Sequence, residues 1–166
     1  AVLGHTRLAI IDLESSSNQP FSVGHLHISF NGEIYNYKQI RAEIIKTGEK
    51  FITQSDTEVI LRGYKLWGAA VFSKLRGMFA LVLYDSSVRA IVAARDSFGM
   101  KPLYYSVSGD RFSFCSSVRA LSLTEECGRK DPVSELSFLW FGFVPEPKTI
   151  YSKISAVPAG HIVTID

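Results

Sequence analysis

Asn31 and Gly32 place a side-chain amide and a backbone N–H close together. Two such donors can steady the negative oxygen that forms when an amide carbonyl is attacked, and a glycine lets the backbone approach the reacting carbon. The same dipeptide is also the favoured type I′ hairpin turn, a purely structural reading. Glu33-Ile34-Tyr35-Asn36-Tyr37 follows it and leads into a helix instead of returning as a strand, which sets Asn-Gly at a strand end. Other residues with reactive side chains are few. Cys115, in Phe112-Ser113-Phe114-Cys115, reads as a small buried hydrophobe, and Cys127 sits in a polar loop with no general base beside it. His25 and His27, with His5, raise a metal site. Histidines in an H-x-H strand are more often solvent-facing polar residues, and no metal is expected.

The elements that must position these residues are legible from periodicity. The segment 8–13 is apolar and β-branched, consistent with a buried strand, and a polar loop runs from Glu14 to Pro20. Leu26, Ile28 and Phe30 alternate with His27 and Ser29 as a half-buried strand entering Asn31. Ile40, Ile44 and Ile45 lie at helical spacing over 37–46, and Gly48 suits the helix end. After a short extended piece over 51–53, Ser55-Asp56-Thr57-Glu58 matches a capping box, with Ser55 as N-cap and Glu58 at N3. Strands are expected over 77–84 and 90–94, and over 103–107 and 112–116 around the hairpin signal Ser108-Gly109-Asp110. Short helices are expected over 117–123 and 134–141. Strands in hairpin succession with clustered helices favour α+β over a doubly wound sheet. Two packed antiparallel sheets with outer helices would account for strands apolar on both faces, so a four-layer αββα sandwich is expected.

Bulk properties narrow the class. The 166 residues suit one domain or a large part of one; 46% are hydrophobic and 20% charged, a composition that can bury a core. A net charge of +2 without basic runs gives no footprint for nucleic acid. Two cysteines without paired spacing argue against a disulfide framework and for a reducing cytoplasm. No apolar stretch approaches the roughly 20 residues that span a bilayer. The chain opens on Ala1-Val2-Leu3-Gly4 without Met and closes on a strand-like run to Asp166, so residues 1–166 are expected to be a segment of a longer protein.

Four segments then converge. Phe30-Asn31-Gly32-Glu33-Ile34-Tyr35-Asn36 resembles the signature of class II glutamine amidotransferases, N-terminal-nucleophile (Ntn) hydrolases, and especially of the asparagine synthetases. Gly4-His5-Thr6-Arg7-Leu8-Ala9-Ile10-Ile11-Asp12, Ser55-Asp56-Thr57-Glu58 and the element from Arg95-Asp96 to Tyr105 resemble further motifs of that family in the same order, and Pro158-Ala159-Gly160-His161 fits its domain end. The resemblance implies a partial type-2 glutamine amidotransferase domain over 1–166. It also implies a pocket shaped to free glutamine: Arg7 for the α-carboxylate through its guanidinium fork, Asp56 for the α-ammonium with Glu33 assisting, backbone around Ile10 and Ile11 as lining, and Asn31 and Gly32 as the oxyanion hole. Each has a plainer explanation beside it. An acid at the first helical position favours the helix dipole, and Glu33 could be an exposed acid at a helix entry. Arg95 and Asp96 read as a structural ion pair, with Gly99 and Pro102 as turn residues; this element is assigned to turn architecture and contact with a following domain.

In this family the nucleophile is an N-terminal cysteine whose α-amino group serves as base, two groups titrating near about pH 8. Here Ala1 stands first, and neither Cys115 nor Cys127 lies in a matching position, so this segment alone is expected to be inactive. The resemblance further implies a following synthetase domain in the same chain, with ATP and Mg bound there and no cofactor in residues 1–166, and with homodimerisation open. The activity expected of the whole is glutamine-dependent amide formation on aspartate. The alternatives are an amidotransferase of the same family acting on a sugar or secondary metabolite, and a degenerate domain that binds glutamine without hydrolysing it.

Overall fold

The computed structural model describes residues 1–6, 11–12, 14–123 and 127–166. Its residues group into two units, 1–94 with 163–166, and 95–162.

The first unit is built on a five-stranded sheet in the order β1-β2-β3-β4-β8. Its strands are β1 (Phe21–Val23), β2 (Leu26–Ile34), β3 (Gly77–Asp85), β4 (Ala90–Arg95) and β8 (Ile162–Ile165), of which the end residues Arg95 and Ile162 are counted with the second unit. β1 and β2 form a tight hairpin around Gly24, whose φ of 59° suits glycine. β2 pairs antiparallel with β3 along its whole length, from Leu26 opposite Asp85 to Ile34 opposite Gly77. The period-2 pattern reads out as expected. Leu26, Ile28, Phe30 and Ile34 are buried, while His27 and Ser29 are half-buried on the other face. Helices α1 (Tyr37–Ile45), α2 (Asp56–Trp67) and α3 (Val71–Lys74) complete the unit. Ile40 and Ile44 of α1, Val59, Ile60 and Leu61 of α2, and Val71 and Phe72 of α3 join the buried strand residues in one core. Ile45 does not; it is half-exposed at the helix end.

The second unit carries a three-stranded antiparallel sheet, β6-β5-β7, of β5 (Tyr104–Ser108), β6 (Arg111–Cys115) and β7 (Ile154–Ala156). Gly109, at φ 55°, makes the β5–β6 turn. Two helices, α4 (Val118–Ser122) and α5 (Pro132–Phe141), belong here. The fold class is therefore α+β with two antiparallel sheets and a few helices.

Several boundaries depart from the periodicity. The strand expected over 8–13 falls mostly outside the described residues. Of that segment, Ile11 and Asp12 are described and are not strand; Asp12 has φ 56°, a left-handed conformation that aspartate tolerates. The piece over 51–53 is irregular, because its amides turn inward onto the Glu58 carboxylate. β1, β7 and α3 are only three or four residues long, too short for a periodic signal. Helix α5 begins two residues early, since Asp131 caps it and Pro132 takes the first helical position.

Candidate active site

β2 runs through Asn31 and Gly32, which pair with Ala80 and Phe79 of β3. The dipeptide is thus neither a hairpin turn nor the strand end; the strand continues to Ile34 and a turn at Tyr35 and Asn36 precedes α1. Alternation along an antiparallel strand sends successive N–H groups to opposite edges. Tyr35 N–H donates to Arg76 O on the β3 side at 2.7 Å, so the even-numbered residues point to the other edge. There β1 covers β2 only from Leu26 to Ile28. Beyond it, side chains take over. Phe30 N–H donates to Gln19 Oε1 at 2.6 Å, while Gln19 Nε2 donates to Phe30 O at 2.9 Å. Ile34 N–H donates to Asp56 Oδ2 at 3.0 Å. Gly32 N–H lies between these two on the same edge, and no described residue accepts from it. Asn31 is exposed, and its side-chain amide bonds to no described residue.

Glycine is required at 32 for a second reason. Its φ is 148°, and a Cβ there would lie 2.0 Å from Met78 O and 2.7 Å from Phe79 Cα. Across the ladder, a Cβ on Gly77 would meet Glu33 O at 2.0 Å. The two backbones therefore approach at this end of the β2–β3 pair more closely than any side chain allows. Asn36 fixes the exit: its amide donates to Lys74 O and accepts from Arg76 N–H, both at 2.9 Å.

Asp56 is delivered to this edge by the start of α2. Ser55 is the N-cap, its Oγ accepting from Thr57 N–H at 3.1 Å. The capping box is only half-formed, however. Glu58 does not return to Ser55 N–H, which donates to Thr53 Oγ1 instead. The Glu58 carboxylate, fully buried, accepts from Ile52 N–H, Thr53 N–H, Thr53 Oγ1 and Arg62 Nε at 2.6–3.1 Å. Arg62 passes the charge on to Glu49, and Lys65 closes the chain.

Asp56 itself is buried. Burial pushes its carboxyl above the usual range, the hydrogen bond from Ile34 N–H opposes this, and the Glu33 carboxylate adds to the rise. A buried carboxylate short of compensation, with a second acid close by, is an environment that favours a bound cation. Glu33 is half-buried on the same β2 face as Asn31, the face opposite the core.

Arg7 and Ile10 lie outside the described residues. Their flanks are held at the site. His5 Nδ1 is 3.2 Å from Ser29 Oγ, which donates to Gly4 O, and Asp12 Oδ2 accepts from Gln54 N–H at 2.6 Å, two residues before Asp56. Ile11 is half-buried next to that tether. Gln19 braces the strand edge from a polar loop that carries no motif, so the sequence alone gives no sign of it.

Among the described residues no group of three His, Cys, Asp or Glu could hold a metal ion. His25 is in the β1–β2 turn, 3.9 Å from Asp85, and His27 is paired to Ser22 and stacked on Tyr84. Arg95 does not pair with Asp96, as its neighbourhood in sequence suggested. All five of its N–H donors are used: on Lys101 O, Gly99 O, Val157 O and, bidentately, the Glu146 carboxylate, at 2.7–2.9 Å. The Asp96 carboxylate instead accepts from the amides of Phe98, Met100 and Lys101.

The described fold is of the Ntn-hydrolase amidotransferase type. A family model described as "Glutamine amidotransferase domain" matches residues 1–166, and the chain belongs to that family. It is 40% identical over 164 residues to asparagine synthetase [glutamine-hydrolyzing] 1 of Bacillus subtilis, covering 98% of this chain and 26% of that protein. It is 38% identical over 146 residues to amidase chry2 of Gibberella zeae, covering 87% of this chain and 19% of the relative. Among solved structures it resembles the glutamine phosphoribosylpyrophosphate (PRPP) amidotransferase of B. subtilis, with a TM-score of 0.61 and 26% identity over 71% of this chain and 28% of that one. The chain thus spans about a quarter or less of the length of these curated relatives.

Proposed function

We propose that residues 1–166 form the glutamine cradle of a larger asparagine-synthetase-like enzyme, which releases ammonia from glutamine and passes it to an ATP-activated aspartate. The observation that carries this reading is the Gly32 N–H. Among the described residues it sits on an uncovered strand edge, between two amides that are already taken, next in sequence to the exposed Asn31. With the Asn31 side-chain amide it would supply the two donors that suit the oxyanion of an attacked amide. Asp56, with Glu33 nearby, suits the α-ammonium of glutamine, and Arg7 is assigned to its α-carboxylate, with backbone at Ile10 and Ile11 lining the pocket. The relatives named asparagine synthetase support aspartate as acceptor.

The nucleophile is assigned to a cysteine preceding Ala1. Cys115 is paired in the β5–β6 ladder opposite Tyr104, and Cys127 Sγ donates to Gly128 O; neither belongs to the unit that holds Asn31 and Asp56. The cysteine thiolate would attack the glutamine amide carbon and its α-amino group would hand the thiol proton to the departing ammonia. Water would then hydrolyse the thioester to glutamate. Residues 1–166 alone should release no ammonia. ATP and Mg are assigned to the following domain. The test is Arg7→Ala in the complete enzyme. Losing a bidentate charge-assisted contact should raise the glutamine KM about ten- to a hundredfold and spare synthesis from free ammonia. An unchanged glutamine KM would sink the assignment. The amidase relative favours a second reading of the acceptor alone, a secondary metabolite in place of aspartate, which assay of the amide formed from aspartate decides.

A further inference from the structure

The Gly32 N–H stays open because the strand beside it stops short. β1 and β2 pair with Phe21 opposite Ile28 and Ser22 opposite His27. Carried further back along the chain, that register sets residue 19 opposite Phe30 and residue 17 opposite Gly32. In an antiparallel ladder alternate pairs exchange both backbone bonds, so a longer β1 would cover the Gly32 N–H. The chain does otherwise. Its backbone joins the ladder only at Phe21, after a 3₁₀ turn over Ser15–Ser17. In that turn Ser17 N–H donates to Glu14 O and Asn18 N–H to Ser15 O, both at 3.1 Å. Gln19, which the register sets opposite Phe30, makes that pair with its side chain. A carboxamide carries both an acceptor and a donor, and this one accepts from Phe30 N–H at 2.6 Å and donates to Phe30 O at 2.9 Å.

A side chain completes the pair at Phe30 without bringing a further residue opposite Gly32. The Gln19 carboxamide thus supplies the last rung beside β2 and ends the ladder there. On the same edge Asp56 holds Ile34 N–H, so side chains occupy the hydrogen-bonding positions on both sides of Gly32. The bonds to Phe30 also fix the peptide that enters Asn31. Glutamate at neutral pH lacks the donor, and asparagine reaches one methylene less. We propose that Gln19 is a positioning residue for glutamine hydrolysis. It closes the ladder at Phe30, which leaves the Gly32 N–H open, and it fixes the strand so that this N–H meets the amide oxygen in the transition state. The inference rests on the reading of Gly32 as an oxyanion donor.

Gln19→Met in the full-length enzyme tests it, since methionine keeps the length and removes the donor. Loss of aim at one oxyanion donor should lower kcat for glutamine hydrolysis about ten- to a hundredfold. The glutamine KM and amide synthesis from free ammonia should each stay within about twofold. Gln19→Glu adds a readout that packing alone would not move. At about pH 8 its carboxylate cannot donate to Phe30 O, and kcat should fall by a similar factor. Toward about pH 5 the protonated carboxyl regains both bonds, and kcat relative to the parent should recover at least about fivefold. An unchanged kcat in Gln19→Met, or a rise in KM alone, would overturn the inference. So would an equal loss of glutamine- and ammonia-dependent synthesis, which marks general damage to the fold, or a Gln19→Glu variant that does not recover. A parent enzyme that hydrolyses no glutamine refutes the proposed function and this inference with it. One that hydrolyses glutamine and tolerates Gln19→Met refutes the inference alone.

Discussion

Asp56 carries two roles that pull in opposite directions. As the first residue of α2 it suits the helix dipole and accepts from Ile34 N–H. As a buried carboxylate beside Glu33 it is costly to ionise, and its pKa is raised. Between the ordinary carboxylate pKa and this raised value, the folded chain holds a proton that the unfolded chain has lost. Stability therefore falls as pH rises through that window and stays lower above it. Asp56→Asn keeps an acceptor for Ile34 N–H and removes the titration. Thermal unfolding at pH 7 should show the variant more stable than the parent, with the two converging below about pH 4. Under the proposed function, the same change should raise the glutamine KM of the complete enzyme about tenfold or more, through loss of a charge-assisted contact. A variant that is less stable at pH 7 than at pH 4, relative to the parent, would refute the electrostatic account.

At the level of elements, α2 is held by its first turn as well as by its apolar face. Ser55 supplies one cap bond, and Glu58 gathers the amides of the preceding loop while holding Arg62. Ser55→Ala should cost about 1 kcal/mol. Glu58→Gln should cost more, about 3 kcal/mol, because an amide N–H₂ must then face donors at Ile52 and Arg62 inside the core. Urea unfolding monitored by circular dichroism ranks the two. If Ser55→Ala proves the costlier, the capping box operates in its usual form and Glu58 is secondary.

For the molecule as a whole, the two units depend on different kinds of interaction. The first has the apolar core of β2, β3, α1 and α2. The second leans on a buried guanidinium that closes its loops through five hydrogen bonds. Lysine at position 95 has three donors and no planar fork. Arg95→Lys should cost about 2–4 kcal/mol, because the buried carbonyl of Val157 and the partly buried ones of Gly99 and Lys101 lose partners. Amide exchange should accelerate at Gly99 and Val157, whose loops the guanidinium holds, and remain unchanged in α1 and β2. Uniform acceleration across both units would instead mark the whole as a single cooperative structure.

Asn31, Gly32 and Asp56 stand out in the sequence because each sits in a local motif. Asn31-Gly32 ends a period-2 run of apolar residues, and Ser55-Asp56-Thr57-Glu58 begins a period-3.6 one. Short-range physics is written in short-range spacing. What those spacings cannot carry is which groups meet across the fold. That Gly32 lies within a ladder and owes its lack of a side chain to Met78, that its N–H faces an edge braced by Gln19 and Asp56, and that Arg95 answers to Glu146 and not to Asp96, all depend on contacts between distant segments. The same holds for the orientation of α5. The tertiary structure turned its serines inward and left its aromatics outside.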